Sequence, residues 1–549
     1  MRPGSSTSTP ASAASGRTKS WRMKASKGRG SRKRAIRGFM PRDGSRPLPR
    51  VASLGMAAQG YLRRLLRTGF AYQVSDLVSK PLAILLLPVY TRHLTRSDYG
   101  TAELIGAGVV FMSIVVRLGI GEAFVRYHYE QRDTAGRDAL ARRSVLTLFA
   151  VSTGVCLAVL SCAEPISRLV LGSSDPTIIR IAALGLWSFS NLELAQALLR
   201  VEERSVQYAI CSIANVLMTV SLTVWLVVVQ GKGANGLLFG NYAASTVVLL
   251  ALWFWERERL RAQPGEASGL RTLLRFGLPT VPADASVFAL NLIDRAWLFH
   301  GRGGAASAGL YSLAVKLSAG MIALARGFQY AWPPLAYSIK DDRVAARLYA
   351  SVTTWYAVVT GMAVASLVLG GRWIVRLLAA PAFYPAYKAL PWVALGWALY
   401  GLVHLMITVG GRAKVTTRNF PAAIAGLVAN VALLAILVPS MGIAGAGIAL
   451  AGAYVVMLAS LRLMTRKLFE VGFQWTRLVW LTAVAGGISV AGNILLPTAG
   501  LVALLERAAV FALIPCVLVL SGFVTSEERE AFSRGFAAVR LRLLPTRAG

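Results

Sequence analysis

The chain has 549 residues, 55% of them hydrophobic and 15% charged, with a mean hydropathy of +0.55. That balance excludes an ordinary soluble enzyme and points to a chain that lies mostly in lipid. The formal net charge of +34 invites a nucleic-acid reading, but the excess is concentrated in residues 1–67, where Asp43 is the only acid and large apolar residues are too few to build a domain.

In chain order, residues 1–67 read as a basic, disordered cytoplasmic tail that carries the cluster Arg32, Lys33, Arg34 and Arg37. Three readings stay open for it: an anchor to anionic lipid, an unselected extension with Met40 or Met56 as the start, or an organellar transit peptide. A bilayer core takes roughly 20 apolar residues as a helix. By that criterion about fourteen runs qualify: 68–90, 102–120, 144–163, 178–199, 206–229, 234–255, 277–298, 309–331, 349–370, 387–410, 421–438, 443–464, 476–496 and 502–521. Alternate loops hold the Arg and Lys, for instance Arg126 to Arg143, Arg257 to Arg275, Lys340 to Arg347 and the tail 522–549, which predicts an even span count with both termini cytoplasmic. The stretch "GRWIVRLLAA" (371–380) separates apolar from basic faces and predicts a short interfacial helix.

"LLRTGFAYQVSD" (65–76) aligns with "LLRFGLPTVPAD" (273–284) at an offset of 208, and "SDYGTAEL" (97–104) with "ASAGLYSL" (306–313) at an offset of 209. "SIANVLM" (212–218) likewise resembles "LVANVAL" (427–433). The fold expected is an all-α polytopic membrane protein with two parallel-repeat six-helix lobes, 68–255 and 277–464, followed by two helices at 476–521. Substrate in such an arrangement sits between the halves, near the bilayer midplane.

Charges inside spans are costly and normally face a cavity or a partner. Asp76 and Lys80 share one face of the first span; Asp284, Asn291, Asp294 and Arg295 lie on the seventh, Lys316 and Arg326 on the eighth, and Arg117 on the second. As a set they predict a cationic cavity that admits an anionic group such as a diphosphate, because the bases outnumber Asp76, Asp284 and Asp294. Asn291, Trp297, Tyr311 and Tyr330 could supply glycan contacts, and ion pairs that merely hold helices together are the architectural alternative. Cys156, Cys162, Cys211 and Cys516 fall in apolar runs, and His93, His128, His300 and His404 are never at ligand spacing, so no metal is expected. With no phosphate loop or nucleophile elbow, neither enzymatic activity nor a cofactor is expected.

"SDLVSKPLAILLLPVYTRHLTRSDYGTAEL" (75–104), "DRAWLFHGRGGAASAGLYSLAVKL" (294–317) and "NVALLAILVPSMGIAGAGIALA" (430–451) resemble the oligosaccharide flippases of polysaccharide biosynthesis. That family belongs to the multidrug/oligosaccharidyl-lipid/polysaccharide exporter (MOP) superfamily. The resemblance implies a bacterial inner-membrane protein that flips a polyprenyl-diphosphate-linked oligosaccharide for lipopolysaccharide or exopolysaccharide synthesis. It also implies alternating access of two lobes; with no enzymatic signature the energy must come from a gradient, of protons or sodium, or from a partner, and the coupling ion is left open. Membrane lipids and a polysaccharide polymerase or other assembly proteins are the implied partners, and nucleic acid is not. The family's Asp-Arg pair carries over to Asp294 and Arg295 and its Gly-x-Tyr to Gly309 and Tyr311; the basic N-terminal tail departs from the family pattern. Counted along the helix from Gly277, Asp294 falls toward the outer end, as a gate or exit-side contact, and Asp284 and Lys80 are the candidates for the midplane binding group. A cation-coupled multidrug exporter of the same fold and a non-transporting scaffold or scramblase are the alternatives.

Overall fold

The computed structural model describes residue 82 and residues 84–131, 133–258, 269–415, 417–525 and 528. Asp76, Lys80, the tail 1–67 and most of the first span and of the tail 522–549 therefore lie outside the described residues. Among the described residues, eleven helices are long and apolar enough to cross a membrane, and two bent pairs raise the number to as many as thirteen. The protein is an all-α, multi-pass membrane protein.

The chain enters through α1 (Leu87–His93) and turns into α2 (Arg96–Val116). A capping box starts α2: Asp98 N donates to Thr95 Oγ1 at 3.0 Å, and Thr95 N donates back to the Asp98 carboxylate at 3.2 Å. After α2 come α3 (Ile120–His128), α4 (Thr134–Ser161), α5 (Ala163–Leu171), α6 (Pro176–Val201), α7 (Ser205–Val224, extended by a π turn) and α8 (Gly233–Trp255). The second half holds α9 (Leu270–Gly277), α10 (Val281–His300), α11 (Gly304–Leu317), α12 (Ala319–Ser338), α13 (Asp342–Leu378), α14 (Leu390–Arg412), α15 (Asn419–Met441) and α16 (Ile443–Thr465). The last two helices are α17 (Trp475–Leu495) and α18 (Gly500–Leu520).

Two features depart from the sequence reading. No separate interfacial helix forms at 371–380: α13 runs unbroken for 37 residues, about 55 Å at 1.5 Å per residue, so its ends stand clear of a core about 30 Å thick. Gly370 and Gly371 do not interrupt it, because no proline or capping side chain offers the backbone an alternative. The short amphipathic helices are instead α3 and α5, which a search for long apolar runs passes over. The expected eighth span is also bent by 53° between α11 and α12, where the Ser318 hydroxyl donates back to Ala314 O at 2.9 Å.

The two halves meet at two glycine crossings. A Cβ on Gly100 would fall on Ala305 O and Gly309 N, and one on Gly309 would fall on Arg96 O and Gly100 N. Gly309 is Gly100 displaced by 209 positions, and Ala305 is Arg96 displaced by the same 209. The contact is therefore self-reciprocal, and the pseudo-twofold axis of the repeat passes between the two glycines. At the other end of α2, Leu118 and Gly119 take left-handed φ values of +51° and +66°, and Gly119 meets the backbone of Gly277. We call the end carrying the 92–96 and 301–303 turns the upper end and the other the lower end.

The last two helices are tied to α13 at both ends. Arg507 is almost fully buried; it donates to Leu369 O at 3.2 Å, Leu496 O at 3.0 Å and Pro497 O at 3.1 Å, and lies 5.4 Å over the Trp373 ring. At the lower end, the Glu528 carboxylate accepts from Arg477 Nη2 at 2.9 Å, Trp355 Nε1 at 3.1 Å and Thr525 N at 3.0 Å. Burial pushes the Glu528 carboxyl up, but the hydrogen bonds from Arg477 and Thr525 outweigh it and hold the group below the usual glutamate range.

Candidate functional site

Between the two crossings lies a cavity of about 1060 Å³, walled by α2, α6, α7 and α8 on one side and by α10, α11, α12 and α14 on the other. Of the residues expected from the sequence, Arg117, Asp284, Asn291, Arg295, Lys316 and Arg326 line it. The bend after Ser318 is what turns Arg326, Gln329 and Tyr330 of α12 toward the same space as Arg295.

The expected excess of positive charge is not there. Arg117, Arg295, Lys316 and Arg326 face the cavity, but so do Glu103, Glu122, Glu193 and Asp284, so among the described residues the lining is charge-balanced. Lys316 Nζ meets Glu103 Oε1 at 2.5 Å and lies 5.1 Å over the Tyr99 ring, a bridge from α11 to α2 that joins the two halves just below the upper crossing. Arg117 Nη1 meets Glu193 Oε1 at 2.9 Å. Glu103 and Glu193 were legible as carboxylates inside predicted spans, and a count of every in-span charge would have found them. Two of the four cations are thus occupied. Arg295 donates to Ser312 Oγ at 3.1 Å and to Asn291 O at 2.8 Å, both neutral acceptors. Among the described residues no carboxylate lies within ion-pair distance of Arg326, and its side chain is exposed to the cavity.

Asp294, expected at the exit, does not line the cavity. It is fully buried in the second half: the Tyr311 hydroxyl donates to its Oδ2 at 2.7 Å and the Asn430 amide to its Oδ1 at 3.1 Å. Neighbouring positions on a helix point about 100° apart, so Arg295 takes the cavity face and Asp294 the packing face. Tyr311 is spent on Asp294, and of the aromatic residues expected to contact a glycan only Tyr330 lines the cavity.

A further polar group in the cavity was not singled out by the sequence reading. Asn215 of α7 matches Asn430 in the repeat, and the position matching Asp294 at the offset of 208 is Leu86. Asn215 lines the cavity, and its Oδ1 is buried without a hydrogen-bond partner among the described residues, as are Thr219 Oγ1 one turn along and Asn430 Oδ1 in the second half. On the opposite wall, Trp397, Tyr400 and His404 of α14 form a stripe, with Trp397 Nε1 and His404 Nε2 equally without partners. Among the described residues, no cluster of three or more His, Cys, Asp or Glu side chains is placed to hold a metal ion.

Residues 65–325 match the polysaccharide biosynthesis protein family. The chain is 24% identical over 264 residues to an Lsg-locus protein of Haemophilus influenzae, an alignment covering 46% of this chain and 61% of that relative, which is under two thirds of its length. In architecture the chain is similar to the lipid II flippase MurJ in an inward closed conformation, with a TM-score of 0.63 at 14% identity over 82% of this chain and 98% of MurJ. It is also similar to an inward-facing multidrug resistance transporter of the MATE family of the MOP superfamily, with a TM-score of 0.56 at 16% identity over 72% of this chain and 94% of that one.

The fold is shared with these flippase and multidrug-transporter structures. The polysaccharide-family match takes in Arg117, Asp284, Asn291, Arg295 and Lys316 and stops one residue short of Arg326. The α14 stripe of Trp397, Tyr400 and His404 lies beyond it.

Proposed function

We propose that the protein is a flippase that carries a polyprenyl-diphosphate-linked oligosaccharide across the bacterial inner membrane by alternating access, for cell-surface polysaccharide synthesis. The observation that carries this reading is Arg326: an exposed guanidinium in a cavity of about 1060 Å³ between the two halves, with no carboxylate at ion-pair distance among the described residues. An arginine so placed recognises phosphate oxygens by charge-assisted, bidentate hydrogen bonds. Arg295 stands ready beside it on neutral acceptors, whereas Lys316 and Arg117 are already neutralised by Glu103 and Glu193. The segments 68–255 and 277–464 are the moving lobes, the upper end is periplasmic and both termini are cytoplasmic. Asp76 and Lys80 complete the binding set on the first span, and a proton or sodium gradient drives the cycle.

The test is flipping of a fluorescent polyprenyl-diphosphate sugar in proteoliposomes. Arg326→Ala should slow transport at least about tenfold, the loss of one charge-assisted contact worth ~1.5–3 kcal/mol, and Arg326→Lys should restore part of it. Full transport by Arg326→Ala would refute the assignment. A second reading, export of an organic cation, is favoured by Glu103, Glu122, Glu193 and Asp284 on the cavity wall. Hypersensitivity of a deletion strain to cationic drugs with intact surface polysaccharide would select it, and glycan export that survives in a transport-dead variant would select a scaffold.

A further inference from the structure

We propose that the α14 stripe and the Asn215–Thr219 pair form a carbohydrate subsite that holds the sugar next to the diphosphate; this rests on the lipid-diphosphate reading and deepens it. A pyranose has an apolar face of C–H groups and an equatorial rim of hydroxyls, so its binding site needs a fixed aromatic surface and hydrogen-bonding groups that water alone otherwise serves.

Both requirements are met on facing walls of the cavity. Tyr400 is held in place by its neighbours, with ring centroids 5.3 Å from Trp397 and 4.5 Å from His404, both edge-on, and 5.6 Å from Tyr454 behind it. Tyr330 stands 71% exposed beside it on α12, and Arg326 lies one turn before Tyr330. Trp397 lines the cavity although it is only 7% exposed, and its buried indole N–H has no acceptor among the described residues. A buried donor left in this state costs free energy unless a ligand or water completes it. Across the cavity, Asn215 Oδ1 and Thr219 Oγ1 are likewise without partners among the described residues; the repeat equivalent Asn430 gives its amide N–H to Asp294, whereas the position opposite Asn215 that matches Asp294 is Leu86. The second half spends its asparagine on its own packing, and the first half presents the equivalent asparagine to the cavity.

The geometry assigns the sugar's apolar face to Tyr330 and Tyr400, one rim hydroxyl to the Trp397 indole N–H and His404, and the opposite rim to Asn215 and Thr219. Arg326 lies one helical turn before Tyr330 and lines the same cavity, which keeps the sugar adjacent to the phosphate end of the substrate.

The experiment measures binding to the purified full-length protein in nanodiscs of farnesyl diphosphate, and of farnesyl-diphosphate-linked glucose, galactose and N-acetylglucosamine. At least one glycosylated probe should bind roughly three- to tenfold more tightly than the bare one. Tyr400→Leu and Asn215→Ala should each reduce that gain and leave affinity for bare farnesyl diphosphate unchanged, which also reports that the variants are folded. Tyr400→Phe, which keeps the ring, should retain it. Equal binding of bare and glycosylated probes, or a gain that survives Tyr400→Leu and Asn215→Ala, overturns the subsite alone. Failure of bare farnesyl diphosphate to bind the wild type overturns the lipid-diphosphate reading and the subsite with it.

Discussion

Gly100→Ala should open the upper end of the protein. A methyl group at this position lands on Ala305 O and Gly309 N, both backbone atoms, so no side-chain rotation can clear it and α2 must move away from α11. Overpacking of this kind costs ~1–3 kcal/mol in a well-packed core, and with backbone on the far side the upper figure applies. About 3 kcal/mol is roughly a hundredfold in the ratio of closed to open upper end. Gly309→Ala makes the reciprocal clash with Arg96 O and should have the same effect, while the double variant should add little, because both methyl groups demand the same displacement. The assay is double electron–electron resonance between spin labels at Ser97 and Arg302, both exposed, after removal of the four free cysteines Cys156, Cys162, Cys211 and Cys516. The label distribution should shift to longer distances in each single variant. An unchanged distribution in variants that insert and purify normally would refute the reasoning, as would full additivity in the double variant.

Asp294→Ala should destabilise the protein by ~3 kcal/mol, since it leaves the Tyr311 hydroxyl and the Asn430 amide unpaired in the core. The thermal unfolding midpoint in detergent should fall while the folded fraction still binds farnesyl diphosphate; lost binding at unchanged stability would restore Asp294 to the cavity. At the lower end, the Glu528 carboxyl is held below its unfolded value, so its contribution is present above the unfolded pKa and lost as the pH falls through the folded one. Hydrogen exchange of residues 517–525 should therefore accelerate in acid in the wild type, and Glu528→Gln should be fast and flat across the same range; a wild-type profile without that acid limb would sink the clamp.

Much of this architecture was legible because a bilayer imposes simple demands on a sequence. Every span must be apolar for about 20 residues, so the runs from 102–120 onward reappear as helices, and the 208–209 offset reappears as a glycine contact on a symmetry axis. In-span charge also found five of the residues that line the cavity, Arg117, Asp284, Arg295, Lys316 and Arg326. What sequence periodicity left undecided was which face each residue takes and which partner it meets. Asp294 and Arg295 are adjacent in sequence, and only the position of α15, which brings Asn430 alongside, sends one into the core and the other to the cavity. Lys316 meets Glu103 across the halves because α2 and α11 cross closely at Gly100 and Gly309, so among the described residues one of the expected free cations is paired. Composition and hydropathy determine that a segment lies in the membrane and that a buried charge needs company. The choice of company depends on helix rotation and crossing, which are set by contacts between residues hundreds of positions apart and so belong to the tertiary structure alone.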